Sequence, residues 1–126
     1  MPHIVYKISV VYKISDAVLW REAERAGRFR GAPVDLADGY IHLSAADQVA
    51  ETAVKHFSGQ RDLVLVAVAA DALGPALKWE PSRGGALFPH LYGPLPLAAV
   101  LWVKPLPLDA DGRPVLPELA QHDPEK

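Results

Sequence analysis

The 126-residue chain contains no cysteine and only one methionine. Without cysteine the protein can form no disulfide, hold no metal through thiolate ligands and use no thiol as a nucleophile. No stretch approaches the run of about 18 apolar residues that indicates a transmembrane helix. The first residues show neither the basic segment nor the small-residue cleavage site of a secretory signal. We therefore expect a cytoplasmic protein with no membrane association.

An excess of one charge sign is also lacking. The chain has 13 Lys and Arg against 15 Asp and Glu, a net charge of -2. General nucleic-acid binding and attachment to an anionic membrane surface both favour a strong basic excess, so neither is expected. Apolar residues make up 50% of the chain and charged residues 22%, which favours a folded core. We expect a single domain over residues 1–126, with a flexible tail at 119–126.

The first half of the chain predicts two strands, at 3–15 and 40–43, and two helices. Residues 3–15 are rich in β-branched and aromatic types and contain VYKIS twice, at 5–9 and 11–15, which indicates a strand. Asp16 favours a helix N-cap and Gly27 the end of that helix, whose apolar stripe includes Val18. Residues 28–38 are predicted as loop. Ser44 opens an S-x-x-D capping box, which predicts the second helix over 45–57.

The second half predicts strands joined by turns. The uninterrupted apolar run LVLVAV at 63–68 indicates a central strand that is covered on both faces. Further strands are expected at 77–80 and 97–106. The order of elements predicts an α+β domain with a mostly antiparallel mixed sheet and two main helices. Its core is expected to combine the two strands at 63–68 and 97–103 with the apolar face of the second helix, and to bury Val66.

The segment DGYIHLS at 38–44 is the first candidate site. Alternation along a strand would turn Ile41 and Leu43 into the core and place Tyr40 and His42 together on the opposite face. His42 would then lie beside the N-terminus of the helix opened by Ser44, where anions bind readily. The alternative is a surface histidine next to an ordinary capping serine.

The segment FPHLYGP at 88–94 is the second candidate. His90 and Tyr92 alternate around Leu91, and Gly93 begins a turn immediately afterwards, so both rings could line a cleft. The alternative is a packed turn whose tyrosine hydroxyl bonds the backbone. We predict that His42 and His90 approach each other across one cleft.

Glu80 is the candidate carboxylate, because it follows a tryptophan and ends an apolar strand. Partial burial would raise its pKa and suit it to proton or hydrogen-bond work, although a solvated acid is the simpler interpretation. The five histidines are scattered along the chain without an i, i+4 pair, so no metal site is expected.

These motifs, in this order, resemble the bacterial "domain of unknown function 952" family. VYKIS, GYIHLS, LVLVAV, LKWE and FPHLYG carry the resemblance, which covers residues 11–118. It implies an ADP-ribosyltransferase-like fold, a split mixed β-sheet with a central cleft in which enzymes of that fold bind NAD.

The resemblance also implies roles for individual residues. It assigns catalysis to Glu80 and His42, with the carboxylate opposing the positive charge that develops when the nicotinamide–ribose bond breaks. Lys13 departs from the family, since many relatives have histidine there. The residues implied in ligand binding are Lys13, Ser44, Gln48, His90, Tyr92 and Gly93.

Three functional hypotheses follow. The first is an ADP-ribosyltransferase-like protein that takes NAD or a related nucleotide as ligand or substrate, with no other cofactor. The second is a non-catalytic module that binds a nucleotide or phosphorylated metabolite, for which the cation of Lys13 would suffice. The third is a protein-interaction domain that uses the proline-rich C-terminus or a free sheet edge.

Overall fold

The computed structural model describes residues 9–119, in which nine strands and three helices occur. The strands are β1 (Val10–Asp16), β2 (Arg28–Phe29), β3 (Ile41–His42), β4 (Ser44–Ala45), β5 (Leu63–Ala69), β6 (Leu77–Pro81), β7 (Leu87–Leu91), β8 (Leu95–Pro96) and β9 (Val100–Leu106). The helices are α1 (Ala17–Ala26), α2 (Pro33–Asp38) and α3 (Val49–Phe57), and 3-10 segments cover Ala70–Ala76, Arg83–Gly85 and Leu97–Ala99. Apart from Ser9 and Leu119, the first VYKIS copy and the predicted tail lie outside the described residues.

The strands form three sheets. The largest has the order β4-β1-β5-β9, a second has the order β3-β7-β6, and β2 pairs with β8. The α+β class is therefore confirmed. Every strand pair of residues 9–119 is antiparallel, including both pairs made by the central strand β5, so the predicted mixture of strand directions is wrong.

The core lies on both faces of β5. Val66 and Val68 belong to one buried cluster, while Leu65 and Ala67 belong to the other. The prediction of a central, doubly covered strand is confirmed, and Val66 is fully buried. The α3 helix contributes to the second cluster, as the apolar stripe of the sequence indicated.

Helix α1 begins and ends where the sequence predicts. The Asp16 carboxylate accepts hydrogen bonds from the amides of Val18 and Leu19 at 2.8 and 3.1 Å, which satisfies the free N–H groups of the first turn. Gly27 ends the helix in the left-handed conformation, at φ 86°. The buried face of the helix differs from the predicted apolar stripe: Val18 is 52% exposed, and Trp20 is the large buried side chain of this helix.

Two local predictions are wrong. Residues 28–38 are not a plain loop, because Pro33 occupies the first turn of α2, where its missing N–H costs nothing. Ser44 does not cap a helix. Its backbone pairs with Tyr12 in the β1–β4 ladder, so α3 begins at Val49 after Gln48.

None of the helices in residues 9–119 has the length and apolar character required to cross a membrane.

Candidate functional site

The β3–β7 ladder holds the two predicted histidines opposite each other. His42 pairs with His90 in the antiparallel register, and their ring centroids are 5.8 Å apart. The preceding pair, Ile41 and Leu91, is buried on the other face of the same ladder. The structure therefore confirms both the alternation and the proximity of His42 and His90.

Two tyrosine rings complete this group. Tyr40 stacks on His90 with centroids 4.1 Å apart and lies 4.6 Å from the ring of His42. It also contacts Tyr92 at 5.2 Å. The four rings fix one another, so both histidines have little freedom to rotate.

A buried ion pair lies behind His42. Lys13 Nζ is 2.8 Å from Asp35 Oδ2 and 3.1 Å from Oδ1, and it donates a further bond of 3.1 Å to the His42 carbonyl. The side chains of Lys13 and Asp35 are 5% and 1% exposed. The three hydrogens of the ammonium group therefore meet three protein oxygens.

Asp35 belongs to this group of side chains, although no sequence pattern marks it. Besides Lys13, its carboxylate accepts bonds from the Ala32 amide at 2.7 Å and from the backbone amide and Nδ1 of His42 at 3.0 and 2.7 Å. Burial alone would raise the pKa of Asp35, but Lys13 and the bonds from His42 outweigh it and hold the pKa below its ordinary value. Burial also lowers the pKa of Lys13, against the opposing attraction of Asp35.

His42 is held between two carboxylates. Its Nδ1 contacts Asp35, and its Nε2 lies 2.9 Å from Asp38 Oδ2. Ionised carboxylates only accept hydrogen bonds, so both contacts form together only when each ring nitrogen carries a proton. The two carboxylates therefore hold the imidazole of His42 in one orientation.

Glu80 holds the other histidine. Its Oε1 accepts bonds from the Tyr92 hydroxyl at 2.7 Å and from His90 Nδ1 at 2.8 Å. The bond from Tyr92, followed by that from His90, lowers the pKa of Glu80, which corrects the predicted rise: hydrogen bonds to the ionised form outweigh the weak desolvation of an accessible carboxylate. The bond between Tyr92 and Glu80 also raises the pKa of the Tyr92 hydroxyl.

A cleft of about 690 Å³ lies between the largest sheet, α3 and the β3–β7 ladder. Four of the predicted site residues line it, namely Lys13, His42, Ser44 and His90. Tyr12, His56 and Phe88 add aromatic surface. Since His90 Nδ1 is bonded to Glu80, its Nε2 is the nitrogen available to a ligand in the cleft.

The other predicted residues do not line this cleft. Gln48 bonds the Ala45 amide at 2.9 Å and the Leu87 carbonyl at 2.7 Å, and so ties the start of α3 to β7. Glu80 and Tyr92 reach the cleft only through His90, and Gly93 borders a different cavity. Their ligand-binding or catalytic roles stay predictions. Within residues 9–119, no group of three or more potential ligands is arranged to hold a metal ion.

Comparisons with known proteins identify one family and one solved relative. The family model described as "Protein of unknown function (DUF952)" matches residues 14–103. The crystal structure of CC0527 from Caulobacter crescentus is 56% identical, with a TM-score of 0.83 over 85% of this chain and 94% of that one. The solution structure of CC0527 is 57% identical, with a TM-score of 0.76 over 83% of this chain and 90% of that one. Among curated proteins, none matches this chain.

Proposed function

The chain belongs to the DUF952 family, and for it we propose an ADP-ribosyltransferase-like function in which the cleft binds NAD or a related nucleotide. The observation that carries this proposal is the convergence of Lys13, His42, Ser44 and His90, from four different strands, on one cleft. A volume of about 690 Å³ is in the usual range for small-molecule sites.

The lining suits the nucleoside part of such a ligand. Tyr12 and Phe88 offer aromatic surface to a flat base or nicotinamide ring. His90 Nε2 can accept a bond from a ribose hydroxyl, because Glu80 holds the proton of the ring on Nδ1. The Ser44 hydroxyl can donate or accept.

The charges around the cleft decide where the phosphates of the ligand would lie. Lys13 and His42 are matched by Asp35 and Asp38, so this group presents no excess positive charge. We expect the nucleoside to enter the cleft by packing and hydrogen bonding, with its phosphates toward solvent.

The proposed reaction breaks the bond between nicotinamide and the ribose C1′. The bonding electron pair leaves with nicotinamide, and C1′ becomes oxocarbenium-like. Water or an acceptor hydroxyl then adds to C1′ and gives its proton to His90 Nε2. Glu80 stabilises the resulting imidazolium through its bond to Nδ1, so it acts on the reaction through His90.

A second candidate, the non-catalytic binding module, is favoured by one observation. Glu80 does not line the cleft, and one of its oxygens is already bonded to both Tyr92 and His90. A carboxylate placed in this way orients a neighbour but does not itself touch a ribose. The two functions share the ligand and differ only in turnover.

Calorimetric titration with NAD and ADP-ribose, together with a chromatographic assay for released nicotinamide, tests both. A ligand at a hundred times its dissociation constant should stabilise the fold by about 2.7 kcal/mol. His90→Gln should weaken binding at least tenfold, while Arg61→Gln, on an exposed turn outside the cleft, should leave it unchanged.

The outcomes are distinct. Binding with nicotinamide release supports the transferase-like function, and binding without release supports the module. If neither NAD nor ADP-ribose binds, the proposal is overturned.

A further inference from the structure

A second cavity, of about 430 Å³, lies at the end of the β3–β7 ladder where the chain enters β3 through Gly39 and Tyr40 and leaves β7 toward Gly93 and Pro94. Ile41 and Leu91 border this cavity, whereas their neighbours His42 and His90 border the cleft. The two spaces share no lining residue, so they are distinct sites.

Two arginines line the second cavity. Phe29 is buried, and alternation along the chain therefore places Arg28 and Arg30 together on the opposite, exposed side, with Cα atoms roughly 6.6 Å apart. Neither guanidinium has an ion-pair partner among residues 9–119. Their charge is therefore available to a ligand.

The rest of the lining does not cancel that charge. Asp35 is the acidic residue at this cavity, but both of its carboxylate oxygens are already in contact with Lys13 or His42. The remaining wall is mainly apolar and includes Leu36, Ile41, Leu91 and Pro94, with the ring of Tyr40 at its edge. The cavity thus combines a cationic rim with an apolar interior.

We propose that this cavity binds an organic phosphate monoester, with the phosphate on Arg28 and Arg30 and an apolar or aromatic body against Tyr40 and Leu91. Guanidinium groups bind phosphate through paired, charge-assisted hydrogen bonds, and a monoester carries close to two negative charges at neutral pH. This site is separate from the nucleotide cleft and does not depend on the function proposed for it.

An NMR titration with phenyl phosphate tests the proposal. The amides of Gly39, Ile41, Leu91 and Gly93 should shift in a saturable manner, while that of Thr52, in the cleft, should not. Phenyl phosphate should bind more tightly than inorganic phosphate or phenol, because it alone uses both the rim and the interior. Higher salt should weaken its binding.

Matched variants complete the test. The double variant Arg28→Gln/Arg30→Gln should weaken phenyl phosphate at least tenfold, while Arg61→Gln should have no effect. Both substituted arginines are exposed, so the fold should be unaffected. Equal binding by the double variant, shifts confined to the cleft, or an affinity no better than that of inorganic phosphate would each overturn the proposal.

Discussion

Lys13 carries its charge inside the protein rather than to solvent. Desolvation of a buried ion pair opposes folding, so Lys13 and Asp35 need not make the fold more stable than an apolar pair would. Their geometry instead fixes His42, because the same amine binds the His42 carbonyl and the same carboxylate binds the His42 ring. We therefore interpret the pair as the support of the site.

Removal of one partner should be costly. Lys13→Met leaves a buried carboxylate without its cation and should lower the free energy of unfolding by about 3–5 kcal/mol. Lys55→Met is the control, because the Lys55–Glu51 pair is exposed and should contribute no more than about 1 kcal/mol. Urea denaturation measures both, and similar small losses in the two variants would contradict the interpretation.

The lowered pKa of Asp35 predicts the pH dependence of stability. The Asp35 carboxyl has its ordinary pKa of 3.8 in the unfolded chain and a lower pKa in the folded protein. As the pH falls, the unfolded chain therefore takes up the proton first, and stability is lost as the pH falls through the folded pKa. The stability difference between the protein and Asp35→Asn should be constant above about pH 5 and shrink below it. Urea denaturation across this range checks the sign, and a difference that grew in acid would refute it.

The variant Glu80→Gln tests whether Glu80 matters for the chemistry of the site or for the stability of the fold. Gln keeps an oxygen that can accept the bonds from Tyr92 and His90, so the melting temperature should change little. The pKa of Tyr92 should fall back toward 10.0, which ultraviolet absorbance against Tyr92→Phe can follow. Any nicotinamide release should drop roughly a hundredfold. A large loss of stability with unchanged release would make Glu80 a structural acid.

For single residues, the sequence predicts the features that follow from the alternation of side chains along a strand. Ile41 and His42 were placed on their correct faces, and His90 was placed near His42. Asp35 was missed because it lies 22 residues from Lys13, and no local pattern marks two charges that meet in the interior.

Short elements were harder to predict than long ones. Strand β5 and helix α1 have a continuous apolar run and clear end signals, and both were found. Helix α2 has only six residues and begins at Pro33, so its composition resembles that of a loop. Strand β4 exists only because β1 provides its partner, and that pairing competes with the capping signal at Ser44.

Gly31 connects β2 to α2 and allows Asp35 to reach the site. Its φ is 124°, and an added Cβ would lie 2.8 Å from the Asp35 Cβ. Gly31→Ala should therefore lower the free energy of unfolding by more than the roughly 1–3 kcal/mol of backbone strain alone. Gly27→Ala is the control, since its φ is also positive but no atom lies within 4 Å of the added Cβ.

Double variants distinguish this contact from general strain. If Gly31→Ala acts by displacing Asp35, it should cost less in the Lys13→Met background, where the ion pair is already gone. Full additivity in urea denaturation would show that Gly31 does not act through Asp35.

On the scale of the whole molecule, the two core clusters meet at β5. Val66→Asp places an unpaired charge in the packed interior, at a cost of several kcal/mol against a total stability of roughly 5–15 kcal/mol. We expect it to unfold the protein. Val18→Asp is the control at a position that is 52% exposed and should remain folded. Circular dichroism and NMR dispersion check both, and a folded Val66→Asp protein would contradict the central place of β5.

The overall class could be predicted because strand and helix signals act locally, whereas the arrangement of three sheets could not. The resemblance to ADP-ribosyltransferases stays a prediction, and so do the roles of the cleft residues. The second cavity could not be predicted either, since Arg28 and Arg30 lie in and just after β2, whereas Ile41 and Leu91 come from β3 and β7.

The β3–β7 ladder also makes the protein unequally tolerant of different kinds of genetic change. A substitution at His90 changes the lining of the cleft and leaves Leu91, which lines the second cavity, in place. A one-residue insertion or deletion just before Ile41 would instead reverse the parity of β3 and exchange its imidazole for an aliphatic side chain. Point substitutions can therefore change the cleft and the second cavity separately, whereas an insertion or deletion before Ile41 changes the lining of both.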